Sequence, residues 1–257
     1  MTEIWNYGGG VQSCAIAVLI LQGKLPKPDF AVIADTGREK QTTWDYLDNV
    51  VAPAMAEIGI KIHRPHKDRY AYRHQDLWSN NGETLMIPAF TTENNRVSKL
   101  PGFCSSRWKK EVVCNFLKRE HGIKSSCMRN WIGFSTDEPR RASHMMVSKD
   151  YLAGKLWLPL IEGVRMSRAE CVKLVEDFGW PTPPRSSCWM CPNAGDAEWR
   201  EIKQNRPDEF EAACKLDEEI RQRDPHAWLH KSAKPLREVD FTSNGQTEFC
   251  HDGLCFL

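Results

Sequence analysis

Five of the ten cysteines lie in stretches rich in proline, glycine and serine: Cys104, Cys188, Cys191, Cys250 and Cys255. Thiolates are soft metal ligands and strong nucleophiles, so these positions are the first candidates for chemistry. Cys188-Trp-Met-Cys191-Pro leaves two residues between its thiols, the gap that lets both sulfurs face one metal or cluster. Taken alone, the motif serves zinc, an iron–sulfur centre or a redox dithiol. Cys104 adds a third sulfur from a separate loop. Cys14, Cys114, Cys171 and Cys214 fall instead inside amphipathic helical patterns and read as packing residues, because a buried thiol behaves as a small hydrophobe. His63, His66, His74, His121, His144, His226 and His230 show no ligand spacing and are read as structural.

A second candidate is the run Gly8-Gly9-Gly10-Val11-Gln12-Ser13. An apolar strand that breaks into glycines and restarts as a helix presents free backbone N–H groups and a partial positive charge. Glycines then let an anion approach the backbone. The run is neither a Walker A loop nor a G-x-G-x-x-G fingerprint, and a tight turn that holds nothing is the alternative. Asp35-Thr36-Gly37 directly follows the second apolar run and should share the same sheet edge, where open α/β sheets bind ligands. Its alternative is a turn and helix cap. Arg107, Lys109, Arg140, Arg141 and Arg185 adjoin these motifs, and guanidinium groups suit phosphate or sulfate oxygens. Asp137 and Glu138 are candidates to hold a metal, to order Arg140 or to cap a helix.

The elements that must position these groups alternate through the first 66 residues. Residues 4–7, 30–34 and 60–63 read as strands. Residues 12–22 and 42–58 read as helices, the latter kinked or split at Pro53. Apolar strands alternating with helices predict a parallel sheet covered on both faces. Residues 67–103 are polar and irregular, which predicts a lid, a binding loop or a disordered segment. Beyond them come a helix at 106–120, a buried strand at 131–134 and a capping box, Ser167 to Glu170, opening a helix to 178. Helices at 196–204 and 208–221 follow, then a tail with little periodicity.

Composition bounds the reading. With 257 residues and 41% apolar content, the chain can bury a real core, and its net charge of +1 argues against a strongly basic nucleic-acid binder. No apolar run reaches the roughly 20 residues that span a bilayer, and the N-terminus lacks the pattern of a signal peptide. A cytoplasmic protein with no membrane partner is expected.

Taken in order, the motifs resemble the adenine nucleotide alpha-hydrolase superfamily. "YGGGVQS" followed by "ADTG" is similar to its pyrophosphate loop, the PP-loop, which usually reads S-G-G-x-D-S. The branch most similar is that of phosphoadenosine-phosphosulfate (PAPS) reductases and their phage-encoded relatives. "CSSRWKKE" at Cys104, "WIGFSTDEPRR" at 131–141, "PPRSSCWMCPNAGDAEWREI" at 183–202, "WLHKSAKPLREVDF" and the final "FCHDGLC" carry that likeness along nearly the whole chain. The resemblance implies a doubly wound, mostly parallel, Rossmann-like α/β domain over residues 1–165. A cysteine-bearing helical extension with its tail would occupy 166–257.

It also implies roles. Residues 8–13 would bind the phosphosulfate, Asp35, Thr36 and Gly37 the nucleoside, and Asp137, Arg140, Arg141 and Arg185 further nucleotide groups. Arg107 and Lys109 would assist catalysis. Cys104, Cys188 and Cys191 would hold a 4Fe-4S iron–sulfur cluster, or zinc, with Cys250, Cys255 or His251 as a fourth ligand or with no fourth protein ligand. Reductases of this family carry a nucleophilic cysteine in a C-terminal segment, so Cys250 and Cys255 are also candidate nucleophiles. Two departures matter. Gly8 replaces the usual loop serine, and Gln12 stands where ATP-cleaving members carry aspartate. A neutral amide offers Mg²⁺ no hard anionic ligand. That favours PAPS or adenosine phosphosulfate (APS) over Mg-ATP, and a thiol reductant such as thioredoxin or glutaredoxin as partner. The alternatives are an ATP-dependent sulfurtransferase that thiolates tRNA or phage DNA bases, and a zinc-stabilised nucleotide-binding module without turnover. Nucleic acid and a homodimer both stay open as partners.

Overall fold

The computed structural model describes residues 1–71, 76–79, 81–93 and 95–242. It divides into two compact units, one built from residues 1–70 and 109–186, the other from 71–108 and from 187 onward. In chain order the elements begin with β1 (Thr2–Asn6), α1 (Val11–Leu21), β2 (Phe30–Val32), α2 (Gln41–Tyr46), α3 (Ala52–Glu57), β3 (Ile62–His63) and α4 (Lys67–Tyr70). Next come β4 (Phe90–Thr91), β5 (Ser98–Lys99), α5 (Glu111–His121), β6 (Met128–Trp131), α6 (Pro139–Met146), α7 (Lys149–Leu152) and β7 (Leu156–Trp157). The last are α8 (Arg168–Asp177), α9 (Asp196–Asn205), α10 (Pro207–Arg223) and β8 (Ala227–Trp228).

The first unit is an α/β fold on a five-stranded parallel sheet in the order β3-β2-β1-β6-β7. The central strand β1 aligns Ile4 with Phe30 on one side and Trp5 with Trp131 on the other. Ile4 and Trp5 are fully buried, as expected of a strand covered on both faces. The chain winds outward from β1 through β2 to β3, then returns to the other side of β1 for β6 and β7. The winding direction therefore switches at the carboxyl ends of β1 and β6, the position where open α/β sheets form a crevice. Helix α1 is apolar on nearly every face and buried from Cys14 to Ile20. It packs on α8, whose Cys171 and Val175 have no exposed surface. Ser167 and Glu170 form the reciprocal capping box that opens α8.

Several expected elements differ in detail. Residues 41–57 run as α2, a wide π turn over Leu47–Val51, and α3 with Pro53 in its first turn. Proline is tolerated there because a first-turn N–H has no intrahelical partner anyway, and the wide turn absorbs the irregularity. The strand expected at 131–134 lies at Met128–Trp131, and Phe134 leaves the sheet to pack with Ala142, Met145 and Leu158. The helical extension expected from residue 166 is divided, since α8 belongs to the first unit and α9 and α10 to the second.

The second unit carries a three-stranded antiparallel sheet in the order β5-β4-β8, with α9 and α10. Residues 67–103, expected to form a lid, a binding loop or a disordered segment, contain α4, β4 and β5. Leu77, Leu85, Met86, Ile87 and Ala89 are buried in the second core with Trp108, Trp199 and Ile220. Their spacing is neither helical nor alternating, because irregular backbone delivers them. Asp217 of α10, fully buried, accepts the N–H groups of Leu229 and Leu236 at 3.0 Å each and pairs with Arg221. One carboxylate thereby fastens two turns of irregular chain onto the helix. No helix among the described residues is long and apolar enough to cross a membrane.

Candidate functional site

The carboxyl ends of β1, β2 and β6 carry the first unit's candidate site. After β1, Ser13 Oγ accepts the Gly8 N–H at 2.9 Å, so the turn is tied to the helix it opens. Gly9 has φ of +75°, and a Cβ there would fall 2.5 Å from Thr43 Cγ2 and 3.2 Å from Ser186 Oγ. Only glycine fits both that backbone and that gap. Ser186 Oγ donates to the Gly8 carbonyl. Gly10 occupies the N-cap of α1 without a side-chain cap, and the helix's first turn contains no acidic residue. Those first-turn amides are available to an anion.

Across the switch point, Gln12 Nε2 donates to Glu138 Oε2 at 3.3 Å, and Gln12 Oε1 accepts from Arg168 at 3.4 Å. Glu138 also accepts the Ser135 N–H at 3.2 Å and binds Arg141. This carboxylate therefore orders Arg141, and Arg140 is exposed on α6. Arg141 lies 4.2 Å over the Phe134 ring. Asp137 accepts the backbone N–H of Arg168. A Cβ at Gly133 would make ordinary van der Waals contact with Ile16 Cδ1 at 3.4 Å and Gln12 Cβ at 3.6 Å.

At the end of β2, Asp35 Oδ1 accepts the Gly37 N–H at 2.8 Å, and the Asp35 carbonyl accepts the Lys67 N–H at 2.8 Å. Thr36 is buried, and its hydroxyl accepts from Arg38 N–H at 3.3 Å. The loop thus begins as an Asx turn, and Gly37 supplies the φ of +69° that it requires. Lys109 pairs with the buried Glu39 at 2.9 Å, and Lys40 and Lys67 are themselves buried.

In the second unit, Cys104, Cys188 and Cys191 are half-buried. Cys104 and Cys188 border the same apolar core, and the Cys191 N–H donates to the Cys188 carbonyl at 3.1 Å in a tight turn. Among the described residues, no group of three or more His, Cys, Asp or Glu side chains is arranged to hold a metal ion. Cys250, His251 and Cys255 lie outside the described residues. Arg107 and Arg185 are exposed. The packing cysteines have the chemistry of packing cysteines. Burial pushes the Cys14 and Cys171 thiols up to about 12 and Cys214 up to about 11, which leaves them protonated and poorly nucleophilic.

Three residues that the sequence reading passed over stand at this site: Thr43, Ser186 and Arg168. Arg168 follows the capping serine, a place where the only sequence signal concerns the helix start. Thr43 and Ser186 touch the glycine turn from far along the chain, and no local pattern marks them. Comparison with protein-family models, curated proteins and solved structures finds no match to this chain.

Proposed function

We propose that the chain is a PAPS reductase-like enzyme of the Rossmann-like adenine nucleotide alpha-hydrolase type. It would bind an adenine phosphosulfate at the glycine turn and pass the sulfur to a thiol. The observation that carries this reading is Gln12, a neutral side chain in the first turn of α1 whose amide bridges Glu138 and Arg168. The turn suits an anion through helix N–H groups, without a carboxylate on α1 to bring Mg²⁺ to it.

The chemistry proposed is thiol-based. A cysteine thiolate, from Cys250 or Cys255, attacks the sulfate sulfur, and the S–O bond to the phosphate breaks, releasing the nucleotide. The resulting S-sulfocysteine is attacked at its cysteine sulfur by a second thiol, from the protein or from thioredoxin or glutaredoxin. Sulfite leaves as the two thiols become a disulfide. Metal analysis and an absorption spectrum of anaerobically purified protein decide separately between a 4Fe-4S cluster, zinc and neither.

The test is to incubate the protein with PAPS, or with APS, and dithiothreitol. Sulfite release that falls at least about tenfold in Gln12→Ala supports the proposal. Absence of sulfite, with AMP and pyrophosphate formed from ATP and RNA or DNA, overturns it in favour of nucleobase thiolation.

A further inference from the structure

In the second unit, His230 is 4% exposed and lies between an acid and an alcohol. Its Nε2 is 3.0 Å from Asp196 Oδ1, and its Nδ1 is 2.8 Å from Ser232 Oγ. The Ser232 backbone N–H also points at Nδ1, at 3.2 Å. A backbone N–H can only donate, so Nδ1 is the unprotonated nitrogen and Nε2 carries the proton to Asp196. This is the tautomer that a general base for Ser232 requires, held by a carboxylate behind it. Asp196 is the first residue of α9 and takes a further hydrogen bond from Lys231 at 3.1 Å, so it stays anionic at the positive end of a helix. Ser232 itself is exposed to solvent. The next residue, Ala233, has φ of +49°, a conformation that non-glycine residues hold only where the surroundings impose it, as they do at functional sites. The reading of His230 as a purely structural histidine does not account for an exposed serine whose hydroxyl meets its unprotonated nitrogen.

We propose that Ser232 is an activated nucleophile, with His230 as its base and Asp196 as the group that orients the base, and that it accepts acyl groups from carboxylic esters. Ser232 Oγ attacks the ester carbonyl as its proton passes to His230 Nδ1. The C–O bond to the leaving alcohol breaks, and that alkoxide takes the proton from His230. Water then attacks the acyl-serine by the same route, releasing the carboxylic acid and restoring Ser232. No electrons are transferred. Ser232, His230 and Asp196 take no part in the phosphosulfate chemistry proposed above.

A fluorophosphonate serves as the probe, because it phosphonylates activated serines and loses fluoride, and the ten cysteines do not compete as they would for an aryl ester. The folded full-length chain is treated with the probe, and the label is located by tandem mass spectrometry. Label is expected on Ser232 of the native protein and not on that of the urea-unfolded protein. It should disappear in Ser232→Ala and slow by about 10²-fold or more in His230→Gln, in line with the contribution of a positioned base. Circular dichroism confirms that each variant is folded, and Asp196→Asn gives a second route if His230→Gln is not. The proposal is overturned if native Ser232 takes no label, or if it labels as fast in the folded His230→Gln or Asp196→Asn variant as in the parent.

Discussion

Replacing Gly9 with alanine tests the construction of the glycine turn most directly. The backbone at φ of +75° disfavours any L side chain, by roughly 1–2 kcal/mol. The new Cβ would also sit 2.5 Å from Thr43 Cγ2, well inside contact distance. Thr43 is fully buried and cannot swing into solvent, so overpacking adds about 1–3 kcal/mol. Together Gly9→Ala should destabilise the first unit by about 2–5 kcal/mol. The two contributions separate in a double-mutant cycle. Thr43→Ser deletes the offending methyl, so Gly9→Ala/Thr43→Ser should regain the packing part and keep the backbone part. Gly10→Ala is the control. Its φ is −100° and its added Cβ would meet nothing closer than Ser186 Cβ at 3.7 Å, so its cost should stay at or below about 1 kcal/mol. Urea unfolding followed by near-UV circular dichroism and tryptophan fluorescence supplies the free energies. A Gly9→Ala cost below about 1 kcal/mol, or a double variant no more stable than Gly9→Ala alone, would refute the reasoning.

Asp217→Ala should cost about 2–6 kcal/mol, because it strands the N–H groups of Leu229 and Leu236, both fully buried; chemical denaturation measures it, and Asp217→Asn should recover part of the loss. Ser167→Ala removes half of the capping box of α8 and should lower stability by about 1 kcal/mol, seen as a lower melting temperature. Burial, with His121 and Lys61 nearby, holds the His63 imidazole below its ordinary value of about 6.5. The unfolded chain therefore takes up that proton first, so stability is full above about pH 6.5 and declines as pH falls below it. Melts between pH 7.5 and 5 should show His63→Gln with a shallower decline than the parent.

Much of the first unit was legible in the sequence. The apolar runs before Gly8 and Asp35 and the capping box at Ser167 are local signals. Each rests on hydrogen bonds or sterics within a few residues, and each element stands where those signals put it. The second unit was not legible in the same way. Its core draws Leu77, Leu85, Met86 and Ile87 from a polar stretch without periodicity, and they are buried only because a helical segment more than 100 residues later covers them. The strand at 128–131 was misplaced because burial of Phe134 continues past the point where sheet hydrogen bonding stops.

The site divides along the same line. The residue types, namely three glycines, a neutral glutamine in place of a carboxylate and a two-residue gap between cysteines, are properties of the sequence alone. They define what the positions can offer chemically. Which groups meet is decided by the fold. The 3-2-1-6-7 strand order brings Gln12 to Glu138, 126 positions away, and Arg168 to Gln12 across 156. The packing of the turn sets Thr43 and Ser186 against Gly9. Side-chain chemistry is written residue by residue, but contacts over such separations exist only once the sheet has chosen its order and the core has paid the loop-closure entropy that brings them together.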